Sequence, residues 1–335
     1  MKRVTMADVA KAAGISKSTV SQFLNGRFEY MGQETKDRIK KAIDELGYHP
    51  NYVARSLKQK RTSLIGIIAA NIVHTVSTEM SRAIEDYFQE KDIQVIFCNS
   101  YEDQDKEKKY IDSMRARQVD GLVIFPTGKN PELYKKLESE KYPVVFVDRK
   151  LDGIDVNTVV VDNRDAMDQA VGHLLKEGHE KLAILTPPPT IFPRRERVAG
   201  FIEALEKRGE PVNEHFIRSV EISEMVSVLE EMFANGKGPT ALIAGNDLTY
   251  FEVMKFARKN EIRISRDLAL VVFDNIEMAA ISEPALTVID QPAYEMGMKA
   301  ADLLFEQISG KSDEKRLFVF QTELKIRESS TTIGG

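Results

Sequence analysis

Residues 7–27 read ADVAKAAGISKSTVSQFLNGR, and this stretch decides the fold of the amino-terminal part of the chain. Thr5 followed by Asp8 fits a capping box, which predicts a helix that begins just after Thr5. Apolar residues then recur at helical spacing along one face, namely Met6, Val9, Ala10 and Ala13. Gly14 can adopt the left-handed conformation that ends a helix, so a tight turn should follow.

A second and a third helix are predicted after this turn. Ser16 is a candidate N-cap for the second helix, which Asn25-Gly26 should end. Its inward face would consist of Val20, Phe23 and Leu24. The inward face of the third would consist of Ile39, Ala42, Ile43 and Leu46. Three short helices, two of them joined by a tight glycine turn, predict a small all-α helix-turn-helix domain over residues 1–50.

The second helix carries more Ser, Thr, Lys and Gln than a core helix needs, and its outward face suits the major groove of double-stranded DNA. Gln bonds bidentately to adenine, Lys bonds guanine, and hydroxyl groups reach bases or phosphates. The DNA contacts predicted for this domain are Thr5, Ser16, Lys17, Ser18, Thr19, Ser21, Gln22 and Asn25.

Charge is divided unevenly along the 335 residues. The formal net charge is −5, but residues 1–61 carry +7 and the remainder carries −12. A basic end on an acidic body is typical of a protein that presents one end to phosphates. Basic surface helices are also common elsewhere, so charge alone leaves this interpretation open.

Residues 51–61 connect the predicted helix-turn-helix domain to the rest of the chain. Asn51 to Gln59 has helical periodicity, but a helix this short is marginal in water, where about 12–15 residues are usually needed. The segment is therefore either a plain linker or a helix that forms when a partner covers it.

From Ser63 onward, strand-like apolar runs alternate with amphipathic helical patterns, which predicts an α/β fold with parallel sheets covered on both faces. About 270 residues of this alternation favour two lobes. The predicted strands are SLIGIIAAN, IQVIFCNS, DGLVIFP, YPVVFVD, NTVVVD, KLAILT, TALIAGN, LALVVFD and LTVID.

Ligands of such folds bind beyond the carboxyl ends of the strands, so the residue after each run matters. Polar residues stand there at Asn71, Asp148-Arg149, Asn246-Asp247, Asp274-Asn275 and Asp290-Gln291. Their donors and acceptors suit a ligand with many hydroxyl groups, although any single Asp after a strand is more often a helix cap. Arg197 adds a candidate anion clamp.

Other functions are less well supported. The single cysteine, Cys98, is interpreted as a core residue. No signal peptide and no apolar run of about 20 residues is present, which predicts a cytoplasmic protein without a membrane partner. Nucleotide-binding glycine loops, catalytic-serine motifs and metal-ligand spacings are also absent from the sequence, so we expect neither an enzyme nor a cofactor. A transport-binding protein would share the body's fold but would need an export signal.

Two motifs go beyond a generic helix-turn-helix. VTMADVAKAAGISKSTVSQFLNG (residues 4–26) followed by ELGYHPNYVARSL (residues 45–57) closely resembles the lactose-repressor/galactose-repressor family of bacterial transcription regulators. The resemblance implies a homodimer on a palindromic operator, with a hinge helix that forms on DNA and paired Leu57 side chains in the minor groove. It adds the DNA contacts Asn51, Ala54, Arg55, Leu57 and Lys58. Many members have Arg where this chain has Gln22, which favours adenine over guanine at the base it reads.

The resemblance also implies a two-lobed effector domain like that of periplasmic binding proteins over residues 62–335. The amino-terminal lobe would comprise about 62–161 and 292–320, and the carboxy-terminal lobe about 162–290 and 321–335. The effector residues expected in the cleft between the lobes are Asn71, His74, Val76, Ser77, Asp148, Arg149, Arg197, Asn246, Asp274 and Gln291.

The nature of the effector follows from two further features. Arg149 and Arg197, with Arg194 and Arg195 nearby, favour a sugar acid over a neutral sugar, because arginine forks suit carboxylates. SKSTVSQFLN with ARSLKQK is similar to the ketodeoxygluconate-regulon repressors of this family, which makes 2-keto-3-deoxygluconate the first candidate. The alternative is a global catabolite-type regulator whose body binds a protein or sugar-phosphate corepressor.

Overall fold

A computed structural model describes residues 4–24, 26–29, 31–48, 61–236, 238–311 and 314–331. The chain divides into two compact units, Met1–Thr62 and Ser63–Gly335, which we call the head and the body. Within the described residues, no helix combines the length and the apolar character needed to cross a bilayer.

The described residues of the head form three helices around a small core. They are α1 (Met6–Ala13), α2 (Lys17–Leu24) and α3 (Gln33–Leu46). The capping box is present, since the Thr5 backbone N–H donates to Asp8 Oδ2 (2.9 Å) and the Asp8 N–H donates to Thr5 Oγ1 (3.4 Å). Gly14 has a φ of 64°, the left-handed conformation that the turn requires. The helix-turn-helix prediction is therefore confirmed.

The described part of the body forms two six-stranded sheets. The first has the order β11-β5-β4-β3-β1-β2 and the second the order β12-β10-β9-β8-β6-β7. The first sheet comprises β1 (Leu64–Ala69), β2 (Gln94–Asn99), β3 (Gly121–Ile124), β4 (Val144–Val147), β5 (Asn157–Val161) and β11 (Leu317–Phe320). The second comprises β6 (Leu182–Thr186), β7 (Ile217–Ser219), β8 (Ala241–Ala244), β9 (Ala269–Phe273), β10 (Thr287–Asp290) and β12 (Glu323–Lys325).

Helices cover the faces of both sheets. They are α4 (Thr75–Gln89), α5 (Gln104–Ala116), α6 (Pro131–Ser139), α7 (Asn163–Lys176), α8 (Phe192–Lys207), α9 (Met225–Phe233), α10 (Asp247–Lys259) and α11 (Ala293–Ile308). Strands such as β3, β4 and β8 are buried along their whole length, which is why they read as unbroken apolar runs. The α/β parallel prediction is confirmed, with β10 and β12 as an antiparallel exception among the described pairs.

Each sheet with its helices forms one lobe. The chain passes from the first lobe to the second between β5 and α7, returns between β10 and α11, and crosses again between β11 and β12. Helix α11 thus packs in the first lobe, where a Cβ at Gly297 would lie 2.5 Å from the Met80 carbonyl oxygen of α4. Three adjacent crossings bring the carboxyl ends of strands from both sheets to one cleft.

Candidate nucleic-acid interface and ligand cleft

Helix α2 offers a polar face on a rigid support. Val20 anchors the helix in the head core and is fully buried, while Lys17 and Gln22 are exposed. Ser16 caps the helix, because its Oγ accepts a hydrogen bond from the Thr19 N–H at 3.1 Å. Ser16 Oγ also lies 2.7 Å from Ser18 Oγ, so these hydroxyls hold one another at the amino end of α2. The face predicted to read DNA is thus exposed and ordered by its own cap.

The remaining predicted DNA contacts divide into two groups. Ser21 is half-buried on α2, and Thr5 is exposed with its hydroxyl in the capping box of α1. The others lie outside the described residues and stay predictions: Asn25, Asn51, Ala54, Arg55, Leu57 and Lys58.

Nine of the ten predicted effector residues line one cavity between the two lobes of the body, which we call the cleft. Its cavity volume is about 40 Å³. The nine are His74, Val76, Ser77, Asp148, Arg149, Arg197, Asn246, Asp274 and Gln291. Asn71 is not among the lining residues, because its Oδ1 accepts a hydrogen bond from the Val73 N–H (3.1 Å) and closes the turn after β1.

Two carboxylates reach the cleft from strained backbone. Asp148 follows β4 with a φ of 66°, and Asp274 follows β9 with a φ of 88°. Residues other than glycine rarely adopt positive φ, and such strain clusters at binding sites. The two lobes therefore place matching hydrogen-bond acceptors at the ends of corresponding strands.

Arg197 forms the floor of the cleft on the second lobe. Its guanidinium donates to Asn163 Oδ1 (2.9 Å) and the Gly245 carbonyl (2.7 Å), and it stacks 3.4 Å from the Phe273 ring centroid. Burial lowers the pKa of Arg197, and the nearby charge of Asp274 opposes this shift. The guanidinium is therefore fixed in place before any ligand arrives.

Asp274 and Gln291 present unused hydrogen-bonding capacity. Gln291 Nε2 donates to Asp274 Oδ1 at 2.5 Å, while Gln291 Oε1 is buried without a hydrogen-bond partner among the described residues. Burial raises the pKa of Asp274 to about 6, although the charge of Arg197 opposes the rise. A buried acceptor without a donor is costly, so a ligand hydroxyl that donates to Gln291 would be favoured.

Arg149 already forms an ion pair within the protein. This corrects the expectation from the sequence that its guanidinium would bind a carboxylate of the ligand. Its guanidinium binds Glu102 bidentately, at 2.8 Å and 2.5 Å, and also donates to the Pro126 carbonyl. Burial alone would lower the pKa of Arg149, but Glu102 outweighs it and raises the pKa. Arg149 therefore shapes the cleft rather than offering a free charge to a ligand.

His74 and Asp247 join the two lobes across the cleft. His74 Nδ1 lies 2.6 Å from Asp247 Oδ1, and the Thr75 N–H donates to Asp247 Oδ2 at 3.1 Å. Burial would lower the pKa of His74, but the hydrogen bond and charge of Asp247 raise it above its ordinary value. The same contacts lower the pKa of Asp247 despite its burial.

The contact between His74 and Asp247 predicts that the stability of the body depends on pH. Because the pKa of His74 is raised, its contribution to stability is complete below pH 6.5 and is lost as the pH rises through the raised value. Asp247 contributes above its ordinary pKa and loses its contribution as the pH falls through the lowered one. Asp247→Asn should therefore bring the pKa of His74 below 6.5, because burial then dominates.

An NMR titration of the imidazole resonances measures this shift. The buried His173 imidazole, which lies 2.7 Å from Ser330 Oγ, serves as the reference. An unchanged His74 pKa in Asp247→Asn would show that the bridge does not control this titration.

Four residues of the site were not among the predicted effector residues, although Arg194 was noted as a nearby arginine. Ile191, Pro193 and Arg194 line the cleft from the start of α8, and Glu102 pairs with Arg149. Glu102 stands three residues after β2, so the strand-end rule could have found it. Ile191 and Pro193 carry no polar signal.

Comparison with known proteins agrees with this architecture. Residues 5–51 match the model for bacterial regulatory proteins of the lacI family, and residues 62–328 match the model for periplasmic binding proteins and the sugar binding domain of the LacI family. The chain belongs to the LacI family. The family resemblance stated from the sequence is thereby confirmed, and the protein is a LacI-family DNA-binding transcription regulator.

Two curated LacI-family relatives span nearly the whole chain. The probable HTH-type transcriptional regulator EndR of Paenibacillus polymyxa is 45% identical over 313 residues, 92% of each chain. The HTH-type transcriptional regulator KdgR of Bacillus subtilis is 30% identical over 335 residues, 97% of each chain. Since the identity to EndR is higher, these relatives do not single out the ketodeoxygluconate-regulon repressors.

A solved structure resembles the LacI-family chain over its full length. The lac repressor dimer bound to operator and the anti-inducer ONPF aligns with a TM-score of 0.85 and 25% identity, covering 98% of this chain and 100% of that one. The fold class predicted from the sequence is therefore that of the lac repressor.

Proposed function

We propose that this LacI-family repressor binds a palindromic operator as a homodimer and is released when a sugar or sugar acid occupies its cleft. The observation that carries this proposal is the cleft, where fixed acceptors and donors from both lobes surround one cavity. Asp148, Asp274 and Gln291 suit hydroxyl donors, and Arg197 suits a hydroxyl or carboxylate acceptor. A ligand held between two lobes can change how they are arranged.

The DNA side of the proposal rests on the head. An exposed Lys17 and Gln22 on α2 supply base-reading groups, and the positive charge of residues 1–61 supplies attraction to phosphates. Two-fold symmetry in a dimer implies a palindromic site. A dimer also brings two copies of residues 51–59 together, so each supplies the partner that the other lacks.

An exposed apolar surface on the body supports the homodimer. Val73 of the first lobe is 60% exposed, and Met278 and Ile281 of the second are 60% and 79% exposed. Val73 and Met278 line one open cavity together with Phe251. Contiguous exposed apolar residues mark interaction surfaces, and the lac repressor structure to which this chain is similar is a dimer.

The effector proposed first is 2-keto-3-deoxygluconate. The argument for an acid now rests on Arg194 and Arg197, since Arg149 is neutralised by Glu102. No carboxylate lies within 4.0 Å of Arg194 among the described residues, and burial lowers its pKa. The alternative remains a global regulator that uses a protein or sugar-phosphate corepressor.

Titration of candidate ligands into the protein–operator complex tests this function. Sugar acids and sugar phosphates that raise the thermal transition of the protein are added at saturating concentration. Release of operator means induction, and tightening means corepression. A protein that ignores symmetric promoter fragments at low ionic strength, with and without ligands, contradicts the proposal.

A further inference from the structure

Glu102 follows β2, and its carboxylate binds the cleft residue Arg149 of the same lobe. We propose that Glu102 sets the charge of the ligand. Its carboxylate already fills the anion-binding position of the first lobe, so the cleft accepts a sugar acid with one anionic end and rejects a ligand with two. This inference rests on the proposed function of the cleft and names the class of ligand that it takes.

The ion pair between Glu102 and Arg149 uses up the guanidinium. Both Nη atoms donate to the carboxylate oxygens, and Nη1 also donates to the Pro126 carbonyl at 3.0 Å. Nε lies 3.4 Å from Asp148 Oδ2, so four hydrogen bonds occupy most of the five N–H donors of Arg149. A ligand anion at this position would meet two carboxylates around one guanidinium, and like charges repel.

The backbone and the surroundings hold Glu102 in this position. Tyr101 and Glu102 both have left-handed backbone, with φ values of 55° and 60°. The Glu102 N–H donates to the Ala70 carbonyl just after β1 at 2.8 Å. The side chain of Arg149 is 5% exposed. Burial would raise the pKa of Glu102, but the hydrogen bond and charge of Arg149 lower it, so the carboxylate is ionised at neutral pH.

The second lobe offers a cation to the ligand. Arg194 and Arg197 line the cleft from α8. The nearby charge of Asp274 offsets that of Arg197. Arg194 donates to the Pro188 carbonyl at 3.3 Å, and no carboxylate lies within 4.0 Å of it among the described residues. One carboxylate of the ligand therefore binds beside Arg194, and the hydroxylated end of the ligand faces the first lobe.

Movement of the lobes does not change this rule. The cleft volume of about 40 Å³ holds no more than a few water molecules, each of which needs about 10–15 Å³, so a sugar enters only when the lobes part. Parting breaks the contact of His74 with Asp247, which joins the lobes. Glu102, Arg149 and Pro126 all belong to the first lobe, so their hydrogen bonds persist while the ligand enters.

Two matched pairs of probes test the charge rule. 2-Keto-3-deoxygluconate and gluconate carry a carboxylate at one end, and their 6-phosphates carry a second anionic group at the other end, which would face Glu102. Calorimetric titration of the full chain measures each affinity. We expect the wild type to bind an unphosphorylated acid about tenfold or more tightly than the 6-phosphate of that acid.

Variants of the ion pair locate this preference. Glu102→Gln keeps the shape of the side chain and leaves Arg149 free for the phosphate, so the 6-phosphate should gain about tenfold or more relative to its parent acid. Glu102→Gln combined with Arg149→Met removes both charges and should lose this gain. Glu140→Gln makes the same charge change in an ion pair with Arg115 outside the cleft, and it should keep the wild-type preference.

Arg194→Met tests the opposite end of the ligand. It removes the partner of the carboxylate and should weaken binding of the unphosphorylated acid about tenfold or more. Thermal unfolding shows which variants fold. If Glu102→Gln does not fold, the wild-type preference and Arg194→Met decide the matter.

Four results would overturn the role of Glu102. They are equal wild-type affinity for an acid and its 6-phosphate, no gain in folded Glu102→Gln, unchanged acid affinity in folded Arg194→Met, and no binding of any probe. Operator binding by the same wild-type preparation, and its release by the probes, are measured in parallel. Loss of operator binding contradicts the proposed function, whereas operator binding and release without the charge preference contradict the role of Glu102 alone.

Discussion

Replacing Arg197 with alanine is expected to produce a repressor that binds operator but is not released by its ligand. The guanidinium holds Asn163 and the Gly245 carbonyl, and it is the charge that opposes the pKa rise of Asp274. A hydrogen bond between a charged group and a ligand is worth about 1.5–3 kcal/mol, so its loss lowers ligand affinity roughly ten- to a hundredfold. Operator titrations with and without ligand measure the loss of release.

Two further variants separate a ligand effect from a folding effect. Asp274→Asn keeps the shape of its side chain and removes its charge, so it should also weaken ligand binding in a folded protein. Arg164→Ala removes a partly exposed arginine that pairs with Glu196 and Glu203, and it should remain inducible. Full induction of Arg197→Ala would show that the cleft is not the effector site.

Replacing Gln22 with alanine is expected to weaken operator binding and relax base preference at one position in each half-site. An exposed Gln on the major-groove face of α2 reads adenine through two hydrogen bonds, and such a contact discriminates by about 1–3 kcal/mol. Because a dimer contacts two half-sites, the change in binding free energy is doubled. Binding-site selection with the wild type and the variant measures this preference, and ligand affinity of the DNA-free protein should not change.

Gln89→Ala provides the matched control, since Gln89 is an exposed glutamine at the end of α4 in the body. Lys17→Ala should lower the affinity for all sequences if Lys17 binds phosphate, or for guanine-containing sites if it binds a base. Selection of guanine at the position that Gln22 contacts would contradict the assignment.

Periodicity and caps were sufficient to predict most of the fold. The nine predicted strands are continuous apolar runs, of which eight are mostly buried and β2 is a partly exposed edge strand. Thr5, Gly14 and Ser16 mark helix ends by their own chemistry. Three edge strands of three or four residues, β7, β11 and β12, were not predicted from the sequence. Their existence depends on distant partners, as when β11 pairs with β5, and short local patterns do not reveal such partners.

The cleft was largely predictable because topology places the carboxyl ends of parallel strands at one edge. Asn246 shows that a polar residue after a strand can both cap the next helix and line the cleft. Its Oδ1 caps α10 by accepting from the Thr249 N–H (2.8 Å), and the same residue lines the cleft. The pairing of Arg149 with Glu102 was not predictable, because the two residues are 47 positions apart and no local pattern connects them.

In the mechanism we propose, the bridge between His74 and Asp247 couples ligand binding to DNA binding. A ligand in the cleft changes the relative stability of lobe arrangements that keep or break this bridge. Such a ligand weakens operator binding only by its differential affinity for the two arrangements, and operator must weaken ligand binding by the same factor.

The most direct test of the account is therefore a complete thermodynamic cycle with the wild-type protein. Operator affinity is measured with and without saturating ligand, and ligand affinity is measured with and without saturating operator. The account predicts that both affinities fall by the same factor, about 5- to 150-fold for a typical coupling. An operator affinity that does not change when the cleft is saturated with ligand would contradict it.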